Sequence, residues 1–362
     1  MQKNNYYIWG AGEYGQRLIE FMRDELSFKA LIDNDSVKQG TVFCGVPVVS
    51  YAEVKDELSE SRIAVAINIP TQVRNFLLAE GFEENNDFYV IHDFIPWYFW
   101  EMKNELAIKT IDIAATTMCN MRCKACQVFM PMSVNQRHIE INKVKSDIDM
   151  VFMHIDTAMN INFAVGENLL NNEISDICLY IFSSYSNRYG YLTVQTNGTV
   201  LPSDDAMKRF AESKTIFGFS NYPENIKSTE RLKEKCNLFG VDWYFNRAGG
   251  NRETWIDFGD PRIVKETDME KLRKQYKTCW VAGTGLVNGW LYLCAEQAWS
   301  LLVAEEGINE KGDAFDLRQP KTDATRRELY KVISRQPDKG YVTHCMRCNS
   351  ANSPAHNNKQ YE

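Results

Sequence analysis

The chain has 362 residues, 44% hydrophobic and 25% charged, without a long Pro/Gly/Ser tract, which excludes a disordered chain and fits two or three globular domains. Its formal net charge of −7 argues against nucleic acid as the main partner, because phosphate contacts need clustered Lys and Arg. The most apolar stretch, FIPWYFW at 94–100, is too short to span a bilayer and the first residues lack a secretion pattern, so a cytoplasmic protein is expected. Its ten cysteines are then metal or redox ligands rather than disulfides.

Residues 1–95 open with the strand NYYIW, the glycine turn Gly10-Ala-Gly12-Glu-Tyr-Gly15, the helical spacing of QRLIEFMRDEL and the strand KALIDND ending near Asp33. That order lets N–H groups at a helix N-terminus meet a diphosphate with an acid near a ribose, and it also suits a tight strand-to-helix turn that binds nothing. RIAVAINIP and TQVRNFLLAEGF add one more strand and helix, about half of a doubly wound sheet. IWGAGEYGQ, ALIDND and GVPVV resemble the small Rossmann-like domains of bacterial sugar-modifying enzymes, such as the sugar-nucleotide-binding half of sugar acetyltransferases. The resemblance implies a nucleotide-linked sugar as ligand, with Gly10, Gly12, Gly15 and Asp33 beside it. The aromatic segment HDFIPWYFWEMKNEL is expected to pack at a domain junction, with a linker over 96–108.

From residue 109 to 275, strand-like runs IDIAATT, INFAVG, YLTVQTN, TIFGFSN and VDWYFNR alternate with helical ones. This α/β pattern predicts a parallel sheet covered by helices, open or closed into a partial barrel, with ligands at the C-terminal strand ends. The loop after the first strand, TMCNMRCKACQVF, carries Cys119, Cys123 and Cys126, one ligand short of a closed four-thiolate site. Polar residues mark the other strand ends: Gly166-Glu167-Asn168, Gln195-Thr196-Asn197, Ser220-Asn221 and Asn246-Arg247. Singly these are turn residues; together with a thiolate loop they outline a polar cofactor pocket.

Cys119-x3-Cys123-x2-Cys126 resembles the cysteine loop of radical S-adenosylmethionine (SAM) enzymes, and Gly166-Glu167 falls where that family carries Gly-Gly-Glu. The resemblance implies a partial (β/α)6 barrel and a [4Fe–4S] cluster on the three cysteines. SAM would take the open iron, be cleaved by one electron from a flavodoxin or ferredoxin, and yield a 5′-deoxyadenosyl radical. Gly166 and Glu167 would meet the SAM ammonium, with Thr196, Asn197 and Ser220 near its ribose or carboxylate. Ala125 stands where the family usually has an aromatic residue, and Val165 and Asn168 also depart from its pattern.

In residues 276–352, Cys279, Cys294, Cys345 and Cys348 surround a hairpin-like segment, WVAGTGLVNGWLYLC. The spacing permits structural zinc or an iron–sulfur cluster. The set resembles the twitch form of the SPASM extension of radical SAM enzymes, which implies one auxiliary [4Fe–4S] cluster and a likeness to radical dehydrogenases of aminocyclitols. The tail from 353 to 362 is polar and expected to be unordered. Cys178 and Cys236 are expected to be buried, with hydrogen-atom donation as the alternative; Arg247 and His154 are candidate proton acceptors. The function implied is hydrogen abstraction from a carbohydrate, oxidising an alcohol or epimerising a carbon. Peptide modification and a non-enzymatic zinc- and nucleotide-binding scaffold are the alternatives.

Overall fold

A computed structural model of the chain describes residues 5–220, 222–246, 254–281, 283–304, 312–351, 353 and 355–357. The chain divides into two units, Met1–Lys109 and Thr110–Glu362.

In the first unit, β1 (Asn5–Trp9), α1 (Glu13–Phe21), β2 (Ala30–Ile32), β3 (Val42–Phe43), β4 (Val46–Val49), α2 (Tyr51–Val54), β5 (Ser61–Val65), α3 (Thr71–Ala79), β6 (Phe88–Val90) and α4 (Ile91–Lys103) follow in order. The sheet order is β3-β4-β2-β1-β5-β6, parallel throughout except for the antiparallel β3–β4 pair. β1 is buried from Tyr6 to Trp9, the continuous apolar run expected of a strand covered on both faces. The strand order reverses beside β1, and the glycine turn leaves its C-terminal end there.

Gly10 holds φ +120°, and a Cβ there would lie 2.7 Å from the Ala66 carbonyl oxygen. Gly15 packs α1 against the Gly10 carbonyl, so both positions serve close backbone approach. Asp33 fastens the same turn: its carboxylate accepts from the Ala11 N–H at 2.8 Å, the Asp35 N–H at 2.9 Å and Lys38 Nζ at 3.2 Å. Burial acts to raise its pKa and is outweighed by these donors, which hold it below the ordinary value. Gly10→Ala is expected to destabilise the chain by about 2 kcal/mol, from backbone strain and the carbonyl clash, read as a lower urea midpoint.

Within the segment expected as a junction and linker, 91–103 is helical, and strand follows from Ala107. Phe94 is fully buried there, and its ring meets Tyr6, Phe28 and Tyr89 at centroid distances of 6.2–6.4 Å within the first unit.

The second unit continues β7 (Ala107–Ile113) with α5 (Ile141–His154), β8 (Thr157–Phe163), α6 (Ile174–Tyr185), β9 (Tyr189–Thr196), α7 (Asp204–Glu212), β10 (Ile216–Ser220), α8 (Ile226–Phe239) and β11 (Trp243–Asn246). Then come β12 (Thr254–Ile256), α9 (Met269–Thr278), β13 (Thr284–Val287), β14 (Trp290–Tyr292), α10 (Ala295–Leu302), β15 (Ala314–Asp316), α11 (Asp323–Ile333) and β16 (Ala355–Asn357). An eight-stranded sheet runs β11-β10-β9-β8-β7-β13-β14-β15. The β8–β9, β9–β10, β10–β11 and β7–β13 pairs are parallel. Phe163, Phe210, Phe217 and Phe219 are fully buried around it, each contributing roughly 1.5–3 kcal/mol.

Helix starts are set locally: Glu140 caps α5, Ser203 caps α7 and Asp268 caps α9 through side-chain acceptors for early N–H groups. The expected hairpin forms as β13–β14 around Asn288 and Gly289, both at positive φ, and its first strand extends the central sheet. The tail expectation needs correction at Ala355–Asn357, which pairs antiparallel with Thr254–Ile256. Backbone ladder bonds suffice for such a pairing, so polar composition did not reveal it. No helix among the described residues is long and apolar enough to cross a membrane.

Candidate active site

The cysteine loop leaves β7 and is pinned by the strand end beside it. Thr116 Oγ1 accepts from the Met118 N–H at 2.9 Å, and the Met118 carbonyl accepts from the Glu167 N–H at 2.8 Å. Gly166, at φ +69°, permits this approach, because a Cβ there would collide with the Met118 carbonyl. Cys119, Cys123 and Cys126 all face a cavity of about 250 Å³ shared with Gly166, Thr196, Asn197 and Ser220.

Four of the residues assigned to a cofactor by sequence thus meet at the thiolate loop, and Glu167 stands behind them. It is fully buried, and its carboxylate accepts from Thr196 Oγ1 at 2.8 Å, the Asn197 N–H at 2.6 Å and the Leu169 N–H at 3.1 Å. It joins the ends of β8 and β9 and does not line the cavity. Burial pushes its pKa up to about 7 against those three donors. Asn168 is also structural, donating to the carbonyls of Phe163 and Gln195.

Asp112, Asn162 and Gln195 of the lining belong to a polar ladder. Asn162 Nδ2 donates to Asp112 Oδ1 at 2.6 Å, Thr193 Oγ1 and Gln195 Nε2 donate to Asn162 Oδ1 at 2.7 and 2.8 Å, and Gln195 Nε2 reaches the Tyr244 hydroxyl at 3.0 Å. Gly218 lies in register between Gln195 and Tyr244, and its missing side chain leaves room for that amide to cross β10. Asp112 and Glu296 are the charged side chains among the described lining residues.

Cys279 ends α9, Cys294 precedes α10, and Cys345 and Cys348 come from the turn at 343–348; all four line a second cavity. Buried Asp313 holds that turn by accepting from the Thr343 N–H at 2.9 Å and Gln297 Nε2 at 3.0 Å. Arg335 donates to the Cys279 carbonyl at 3.1 Å and Gln275 to the Cys345 carbonyl at 3.3 Å.

The thiols fit a metal cluster in number and setting. Burial raises Cys119 to about 11 and Cys126 and Cys348 to about 12, and holds Cys294 well above its ordinary value. A thiol ligates a metal as its thiolate, so loading one would release protons. Among the described residues no three His, Cys, Asp or Glu side chains converge closely enough to hold a single ion, so the cysteines surround cavities rather than meet at a point.

Asp112, Tyr222 and Glu296 are among the residues of the site that were not singled out by sequence, as are Asn162, Thr193 and Tyr244 of the ladder. Glu296 lines both cavities, accepting from Gln127 Nε2 at 2.7 Å and from the Cys294 thiol at 3.3 Å. A carboxylate inside the apolar helix AEQAWSLL, two residues past a cysteine, was the available signal. Tyr222 brings an aromatic ring to the cysteine loop, where Ala125 supplies none.

Cys178 and Cys236 are fully buried in α6 and α8 and line neither cavity. His154 is a core histidine, Nε2 lying 2.9 Å from the Leu317 carbonyl oxygen. Arg247 and Asn221 lie outside the described residues. Gly10, Gly12, Gly15 and Asp33 belong to the other unit.

No protein-family model matches the chain. It is 23% identical over 117 residues to the redox-sensing transcriptional repressor Rex of Leuconostoc citreum (strain KM20), covering 30% of this chain and 51% of that protein. The chain thus spans about half the length of that curated relative. Similar solved structures include BtrN in complex with AdoMet and 2-DOIA (14% identity, 67% of this chain, 93% of that chain, TM-score 0.42). Others are anSMEcpe with bound AdoMet (15%, 64% and 81%, 0.41) and HydG, a maturase of the [FeFe]-hydrogenase (10%, 43% and 37%, 0.31).

Proposed function

We propose that this protein is a radical SAM oxidoreductase acting on a hydroxyl-bearing carbohydrate. The observation that carries the proposal is the grouping of the cysteines. Three from one loop share a cavity with Gly166, Thr196, Asn197 and Ser220, four others surround a second cavity, and Glu296 lines both.

In this reading Cys119, Cys123 and Cys126 hold a [4Fe–4S] cluster with one iron free for SAM, and Cys279, Cys294, Cys345 and Cys348 hold a closed auxiliary cluster. The open cluster with bound SAM supplies a 5′-deoxyadenosyl radical for hydrogen abstraction. Gly166, Thr196, Asn197 and Ser220 bind and orient the cofactor, and Glu167 fixes Thr196 and Asn197 from behind. Amide and hydroxyl groups with two carboxylates suit the uncharged, hydroxylated part of a substrate.

Oxidising an alcohol to a ketone removes one hydrogen atom, one proton and one electron. Asp112 and Glu296, the carboxylates of the lining, would be the candidates to take the proton, and a cluster on Cys279, Cys294, Cys345 and Cys348 would supply an acceptor for the electron. Anaerobic incubation with SAM, a reductant and candidate sugars or sugar nucleotides tests the proposal. 5′-Deoxyadenosine with a product that has lost two hydrogens is expected; 5′-deoxyadenosine with a modified peptide substrate instead would replace the carbohydrate assignment.

A further inference from the structure

Cys119 and Cys123 differ in what surrounds their sulfur atoms. Cys119 Sγ accepts from the Met121 N–H at 3.5 Å, a bond local to the cysteine loop. Cys123, 7% exposed, is met from outside the loop: its Sγ lies 3.4 Å from the hydroxyl oxygen of Tyr222, 99 residues along the chain. The same segment is fastened again by Asn225, whose Nδ2 donates to the Asn197 carbonyl at 2.9 Å and to Met121 Sδ at 3.2 Å.

The Cys123 Sγ and the Tyr222 hydroxyl oxygen are close enough to share one hydrogen. A cysteine that ligates iron does so through its thiolate sulfur, which can only accept a hydrogen bond. At this separation Tyr222 is then the only partner of the pair with a hydrogen to give.

We propose that Tyr222 is a positioning residue that donates its hydroxyl hydrogen to the Cys123 sulfur and thereby raises the reduction potential of the cluster held by Cys119, Cys123 and Cys126. This rests on the function proposed above. A donor at a ligating sulfur favours the more negative, reduced state, so the electron from the donor protein enters more readily. The bond also ties the loop carrying Ser220 to the cysteine loop, placing control of the potential on a side chain that faces the cofactor cavity.

The test is redox titration of the full-length, anaerobically reconstituted protein by electron paramagnetic resonance, following the signal that changes when SAM is added. Tyr222→Phe is expected to load the same iron and unfold at the same temperature. At a fixed potential its ratio of reduced to oxidised cluster should fall about tenfold, which for a one-electron couple is about 59 mV. Tyr222→His, which keeps an N–H donor, should remain within about threefold of the parent. Asn225→Ala, which loosens the segment and spares the phenol, should also remain near the parent. An unchanged ratio in Tyr222→Phe, or an equal fall in Asn225→Ala, overturns the inference. If Tyr222→Phe fails to load iron, the titration of Tyr222→His decides, and a tenfold fall there overturns it. A parent protein that binds no iron–sulfur cluster overturns the proposed function instead.

Discussion

Alanine at Cys119, Cys123 or Cys126 is expected to remove about four of about eight iron atoms and to abolish SAM cleavage, leaving the second cluster in place. The cysteines share a loop, and each has its sulfur at the same cavity, so a missing thiolate leaves two ligands. Alanine at Cys345 or Cys348 is expected to do the reverse. Iron again falls by about half, 5′-deoxyadenosine still forms, and the two-hydrogen oxidation of substrate is lost because its second electron has no acceptor. Iron analysis with product quantification separates the two outcomes. Equal loss of SAM cleavage from both sets would contradict a division between an open and a closed site.

The second large effect is expected at Glu167. Glu167→Ala leaves Thr196 Oγ1 and the N–H groups of Asn197 and Leu169 without their acceptor inside the protein, costing about 3–5 kcal/mol of stability. Because Thr196 and Asn197 line the cavity, SAM binding should weaken together with stability. The pH dependence has a definite sign. Burial holds the folded pKa near 7, above the ordinary 4.5, so between those values the folded chain keeps a proton that the unfolded chain has lost. Stability contributed by this group is therefore present below about pH 4.5 and lost as pH rises to about 7, on the order of 3 kcal/mol across the window. Glu167→Gln removes that titration, and denaturant melts at several pH values should show a flatter profile than the parent.

Much of this site was legible because strand ends announce themselves. Gly166, Thr196, Asn197 and Ser220 each follow an apolar run that must stop, and a parallel sheet brings such ends to one edge. Glu167 was also found by that logic, but its function within the edge was not: whether a carboxylate faces a ligand or three protein donors depends on neighbours about 30 residues away. Tyr222 and Glu296 were less accessible still. Their partners, Cys123 and Gln127, lie 99 and 169 residues distant, and no local period encodes such a meeting.

The aromatic helix at 91–103 shows the opposite limit. Its rings were expected to pack at a domain junction; Phe94 packs on Tyr6 of the first unit, and composition alone does not say which core a ring enters. Cys178 and Cys236 share a residue type with the proposed ligands and differ in address. They lie within helices rather than in loops at strand ends, and their sulfur atoms are sealed into packing.

The central claim is tested most directly by iron and zinc analysis of the anaerobically reconstituted chain, followed in the same sample by reduction in the presence of SAM. The account predicts about eight irons per chain, a broad brown absorbance and formation of 5′-deoxyadenosine. One or two zinc ions, a colourless protein and intact SAM would contradict it.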